Sequence, residues 1–183
     1  MKRFILFSAV MLSLTTNATA QQNNNYSYVA LGIGGVSSND DVLGDMIYSV
    51  DLAAAYHFNK NWGVEAGYKR GLGIDDKICN EKNSSVCLKW ERNISALTLA
   101  PQYSIYSTQE FWRMNLKAGI AQVMTDYQYL DTSHTSLYLE MDNEFKVYDS
   151  IRVGFSVGTF DGKNLADDNF ANIFTALRVT YQF

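Results

Sequence analysis

The last thirteen residues, 171–183, constrain this chain more than any other stretch. Read back from the terminus, Phe183, Tyr181, Val179, Leu177, Thr175 and Ile173 fall on every second position. Gln182, Thr180, Arg178 and Ala176 fall between them. Side chains point to opposite faces of a strand with period two, so this is a strand with one greasy and one polar face. A greasy strand face has to be covered, either by the core of a soluble sandwich or barrel or by lipid.

The rest of the chain repeats the pattern. Strands are expected at 26–37, 47–58, 63–72, 92–105, 111–129, 137–148, 151–160 and 171–183. In the second, Tyr48, Val50, Leu52, Tyr56 and Phe58 oppose Ser49, Asp51, Ala53, Ala55 and His57. In the sixth, Leu137, Leu139, Met141, Phe145 and Val147 oppose Tyr138, Glu140, Asp142, Glu144, Lys146 and Tyr148. Pro101 lies within the fourth strand, where a missing N–H is costly, so it is expected near a strand end or a bulge. Short turns follow strands two, four and six. Longer or more polar loops follow one, three, five and seven, and the longest of these, 71–91, holds both cysteines.

Before the first strand stand Met1-Lys2-Arg3, an apolar run from Phe4 to Leu14, and Ala18-Thr19-Ala20. That is the charged, apolar and small-residue order of a signal peptide, and the run is too short to span a bilayer. Residues 1–20 are read as a removed signal and 21–183 as one domain. Removing Lys2 and Arg3 takes the formal net charge from −4 to −6. A net acidic chain without a basic stripe is not a nucleic-acid binder. In an exported chain, Cys79 and Cys87 point to one disulfide. A thiolate metal site is disfavoured, because no further Cys or His lies near enough to complete it.

Eight strands of about ten residues, alternating short turns with longer loops, fit an antiparallel up-and-down transmembrane β-barrel with both termini periplasmic. Closure satisfies every backbone group in lipid without a free edge. Aromatics cluster near both expected ends, Trp62, Tyr103 and Phe111 among them at one and Tyr48, Phe170 and Phe174 at the other, as two headgroup belts would require. The face opposite the greasy one carries Asp51, Glu65, Glu140, Asp142 and Glu144 with Lys69, Arg113, Lys117, Lys146, Arg152 and Arg178. Such a face could not line an apolar ligand cavity of a soluble, lipocalin-like barrel. It does suit a narrow lumen, where buried charges must be paired. A salt-bridged plug is expected there, rather than a conductive path.

The whole stretch 21–183 resembles the small outer-membrane barrels of the OmpA-barrel, OmpX and Ail type. The closing strand ending in Tyr181-Gln182-Phe183 carries the likeness, as does Leu97-Thr98-Leu99-Ala100-Pro101-Gln102-Tyr103, which looks like the fourth-strand segment of OmpX and Ail relatives. The resemblance implies the outer membrane of a Gram-negative bacterium and no cofactor or metal. It implies that Leu177, Val179, Tyr181 and Phe183 form the signal read by the barrel-insertion machinery. It also implies a non-enzymatic role in membrane integrity, adhesion or host defence, carried by the outer loops among lipid, lipopolysaccharide and a host or surface ligand. Those loops are acidic, with Asp40, Asp41, Asp45, Asp131, Asp161, Asp167 and Asp168, which disfavours heparin-like partners and leaves divalent-cation bridging to lipopolysaccharide open.

One enzymatic alternative rests on His134-Thr135-Ser136 with Glu140 four residues on. A serine activated by histidine, with a carboxylate to orient it, is acyl-transfer chemistry, and some outer-membrane barrels remove acyl chains from lipid A with an H-x-S motif. Those deacylases carry Asn after the serine, near the chain end. Here Leu137 follows, before strand six.

Overall fold

A computed structural model describes residues 25–38, 47–80, 83–107, 110–127, 131–163 and 169–183, with the backbone alone at 38, 47, 72–80, 83–92, 127, 131, 162–163 and 169–170. Eight strands follow in order: β1 (Tyr26–Ser38), β2 (Ile47–His57), β3 (Trp62–Asn80), β4 (Asn83–Tyr106), β5 (Trp112–Tyr127), β6 (Asp131–Tyr148), β7 (Ile151–Lys163) and β8 (Asn169–Gln182). Each pairs antiparallel with the next, and β1 pairs with β8, from Tyr28↔Gln182 to Ser38↔Asn172. The sheet closes into a barrel, so no edge is left.

The greasy face points out. Leu31, Ile33, Leu99, Ile120, Leu139, Phe155, Leu177 and Val179 are exposed. A water-soluble protein would bury such a continuous apolar surface. The opposite face holds small residues, charges and a few aromatics, most of them buried. Candidate belt residues Tyr56, Trp62, Tyr103, Phe111, Phe145 and Tyr181 face outward at the short-turn end.

The strands outrun several expected boundaries. The segment expected as a loop at 71–91 is a continuation of the β3–β4 ribbon, with pairs from Ile74↔Arg92 to Cys79↔Cys87 and Asn80↔Asn83. Polar, charged sequence hid it, because a ribbon beyond the membrane needs no greasy face. Likewise β6 begins at Asp131, and β7 runs on to Lys163. Residues 1–20, the tips with Asp40, Asp41, Asp45, Asp167 and Asp168, and the cysteine side chains lie outside the described residues.

Pro101 is inside β4, paired with Val64 on one side. On the other side the ladder lapses between Leu99↔Ile120 and Gln102↔Lys117, without a register shift. Proline has no N–H to give there. Gly119 stands across the gap, where a Cβ would come within 2.2 Å of the Leu99 carbonyl oxygen. The proline is thus accommodated mid-strand by close backbone approach, not by a bulge.

Two expected side-chain placements are corrected. Phe174, assigned to the outer aromatic belt, faces inward and is 3% exposed. It shares parity with Ala176 and Arg178, so position along the strand misled where alternation would not have. Tyr148, read as inward, is 69% exposed, because a register shift between Lys146 and Tyr148 breaks the alternation beside the turn.

Candidate functional site

The interior is built in layers, one set of inward positions above another. Toward the long-hairpin end, Val36, Ile94, Val123, Tyr138, Phe160 and Phe174 form an apolar plug. Tyr138 and Phe174 stack with ring centroids 6.2 Å apart, and Phe160 meets Phe174 at 5.6 Å.

Beneath the plug lies the charge network. Arg178 on β8 reaches across the lumen. Its Nη2 lies 2.7 Å from Glu65 Oε2 on β3, and its Nη1 lies 2.9 Å from Glu140 Oε1 and 3.0 Å from Asp142 Oδ2 on β6. Lys117 Nζ on β5 binds the same three acids, at 2.7 Å to Glu65, 2.6 Å to Glu140 and 2.7 Å to Asp142. Lys69 Nζ sits 2.6 Å from Glu140 Oε2 and 3.0 Å from Asp51 Oδ2. It also lies 4.2 Å from the centre of the Phe174 ring, so cation–π attraction joins the network to the plug. Tyr138 donates to Glu140 Oε2 at 2.7 Å. An eight-stranded barrel is only wide enough for side chains, which is why strands far apart in sequence meet here.

A third layer lies nearer the short turns. Arg113 grips Glu144 Oε2 through Nε at 2.7 Å and Nη2 at 2.5 Å. Asn115 and Thr180 also donate to Glu144. Ser104 donates to Asn115 at 2.7 Å, Gln102 bridges Ser104 and His57, and the Tyr28 hydroxyl stands within hydrogen-bond distance of Glu65 and Gln102. Tyr26 stacks on His57 at 4.1 Å and meets the Tyr106 hydroxyl at 2.5 Å.

Of the eleven residues expected as lumen charges, Asp51, Glu65, Lys69, Arg113, Lys117, Glu140, Asp142, Glu144, Arg152 and Arg178 are buried. Lys146 is not among them. Its side chain is 37% exposed and pairs with Asp149 in the adjoining turn at 2.8 Å. Arg152 is buried but stands apart from the network. The aromatic plug and the His57–Gln102–Tyr28 cluster were missed as site features, although strict inward parity marks Tyr28, His57, Tyr138, Phe160 and Phe174.

The arrangement does not assemble the acyl-transfer residues. His134 Nε2 meets the Asp161 carbonyl oxygen at 2.9 Å. Ser136 Oγ donates to the Leu137 carbonyl and accepts from the Asp161 N–H at 2.8 Å. Glu140 is held by Lys69, Lys117 and Arg178. Both small side chains thus tie β6 to β7 instead of bonding each other. Among the described residues no group of three or more His, Cys, Asp or Glu is placed to hold a metal ion.

The family model for the outer membrane protein β-barrel domain matches residues 6–183. Among solved structures, Ail of Yersinia pestis, crystallised with the heparin analogue sucrose octasulfate, is 17% identical with a TM-score of 0.57, over 87% of this chain and 99% of that one. Neisserial surface protein A is 15% identical with a TM-score of 0.60, over 88% and 98%. OprG of Pseudomonas aeruginosa is 12% identical with a TM-score of 0.61, over 90% and 99%. No curated protein sequence matches the chain.

Proposed function

The chain belongs to the outer membrane protein β-barrel domain family, and from that premise we propose that it works as a sealed, non-enzymatic barrel acting through the surface it presents outside the cell. The observation that carries this reading is the filled lumen. The aromatic plug and the network around Arg178 occupy the middle of the lumen, which supports a sealed interior rather than a transport path. With the short turns and termini read as periplasmic, the β3–β4 ribbon is, among the described residues, the longest extension at the opposite end and the surface we assign to a partner.

Three further readings belong to this proposal. Residues 1–20 direct export and are removed after Ala20. A Cys79–Cys87 disulfide, favoured by the two residues being direct cross-strand partners, pins the ribbon. Leu177, Val179, Tyr181 and Phe183 present the outward stripe that the insertion machinery reads.

Conductance in a planar lipid bilayer tests the central claim. A folded preparation, identified by heat-dependent migration on a gel, is expected to give no steady unitary currents. Regular open-channel events from that preparation would overturn it.

A further inference from the structure

Among the buried charges of the described interior, Arg152 is the one without an ion partner. It is 6% exposed, the second residue of β7, at the short-turn mouth. Its Nη2 donates to the Glu110 carbonyl oxygen at 3.1 Å, while its Nη1 is buried with no hydrogen-bond partner. The buried acid in electrostatic reach, Glu144, is already engaged by Arg113, Asn115 and Thr180. The buried interior as a whole balances five acids, Asp51, Glu65, Glu140, Asp142 and Glu144, against five bases. The surplus carboxylate lies in the central cluster, where Asp51, Glu65, Glu140 and Asp142 face only Lys69, Lys117 and Arg178. The surplus cation lies at the mouth, with Arg113 beside it.

A buried charge left unpaired is costly, and Arg152 stands against a pocket. That pocket, about 240 Å³, is also lined by Asn25, Tyr26, Lys60, Tyr106, Glu110 and Gln182. A water's share of liquid volume is about 30 Å³, so a small oxyanion fits with water to spare. Lys60 also lines this wall and pairs with Glu110 Oε1 at 2.6 Å, so those two are near neutral together, the net positive charge comes from Arg152, and the ammonium keeps further N–H donors for an anion. Guanidinium and ammonium together suit the several oxygens of a phosphate better than the two of a carboxylate.

We propose that this mouth is a binding site for a phosphate group, held by the Arg152 guanidinium with Lys60 in support. The proposal goes beyond the reading above and leans on it only in calling this end periplasmic. The group would come either from free phosphate in that compartment or from the headgroup of an inner-leaflet phospholipid.

The test uses the protein purified from outer membranes in a phosphate-free non-ionic detergent. Inorganic phosphate is titrated at constant ionic strength while the Arg152 guanidinium resonances are followed by nitrogen-15 NMR, with calorimetry in parallel. Saturable shifts at Arg152 with a millimolar Kd are expected, together with at least about tenfold weaker binding in Arg152→Gln. Arg152→Lys should keep part of the affinity, and acetate should bind less well than phosphate. Dihexanoylphosphatidylglycerol binding more tightly than inorganic phosphate would identify the headgroup as the source; the reverse order would identify free phosphate. An unmoved Arg152 resonance, or equal affinity in the wild type and Arg152→Gln, overturns the proposal. If Arg152→Gln fails to fold, the wild-type resonance and Arg152→Lys still decide. None of these outcomes depends on whether the barrel conducts.

Discussion

At the scale of single residues, Arg178 and Lys117 tie the centre of the lumen together by sharing the same three acids. The Arg178 guanidinium contacts acids from two strands, Glu65 on β3 and Glu140 and Asp142 on β6. Arg178→Met leaves four buried carboxylates facing two lysines. Removing one partner of a buried pair costs about 3–5 kcal/mol, so urea unfolding in lipid vesicles should show a loss of that size. The Lys60–Glu110 pair is the contrast. The Lys60 ammonium holds the Glu110 carboxyl below its usual range, so its contribution is present above that range and fades as pH falls through it. With both side chains about half exposed, solvent screens the pair, and Lys60→Ala should leave the unfolding midpoint unchanged. Gly154 is constrained by space. A Cβ there would come within 1.8 Å of the Asn143 carbonyl oxygen and 2.7 Å of the Glu144 Cα. Both are backbone atoms of the neighbouring strand and cannot swing away, so Gly154→Ala should destabilise the barrel by about 1–3 kcal/mol in the same assay.

At the scale of elements, the β3–β4 ribbon is the part whose stability is separable from the barrel. Beyond Gly71 its pairing passes through a register shift, and from Asp75↔Glu91 onward its strands pair with each other, the ladder to β5 ending at Arg92↔Tyr127. A cross-link near its tip would limit its freedom in the opened state. Limited proteolysis should therefore cut within residues 72–92 much faster in Cys79→Ser, or after reduction, than in the oxidised wild type. The barrel strands should stay intact in both. Equal cutting rates would remove the disulfide from the account.

At the scale of the whole molecule, the outward loops and the filled lumen point the same way. On the proposed reading a partner meets the segments that follow the first and seventh strands, whose sequence holds Asp40, Asp41, Asp45, Asp161, Asp167 and Asp168 against Lys163. Ail was crystallised with a heparin analogue, but an acidic rim repels polyanions. The folded protein is expected to pass through a heparin column at moderate salt, and retention that weakens with added salt would refute this.

The sequence by itself determined the barrel. Period-two alternation in eight segments, with the apolar set ending on Phe183, decides which face meets lipid, because slipping any strand by one residue would turn its greasy side chains inward. It determined most of the lumen charges for the same reason: Glu65, Glu140 and Arg178 follow from parity alone. It did not determine the extension of β3 and β4, since backbone pairing in a polar, charged stretch needs no alternation of greasy and polar residues to mark it. Nor could it say which acid meets which base. Arg178 and Glu65 are 113 positions apart and touch at 2.7 Å only because closure brings β8 across the lumen from β3. The same closure brought Phe174 against Tyr138 and Phe160, and among the described residues it left the Arg152 guanidinium without an ion partner at the mouth while Lys69, Arg113, Lys117 and Arg178 found theirs.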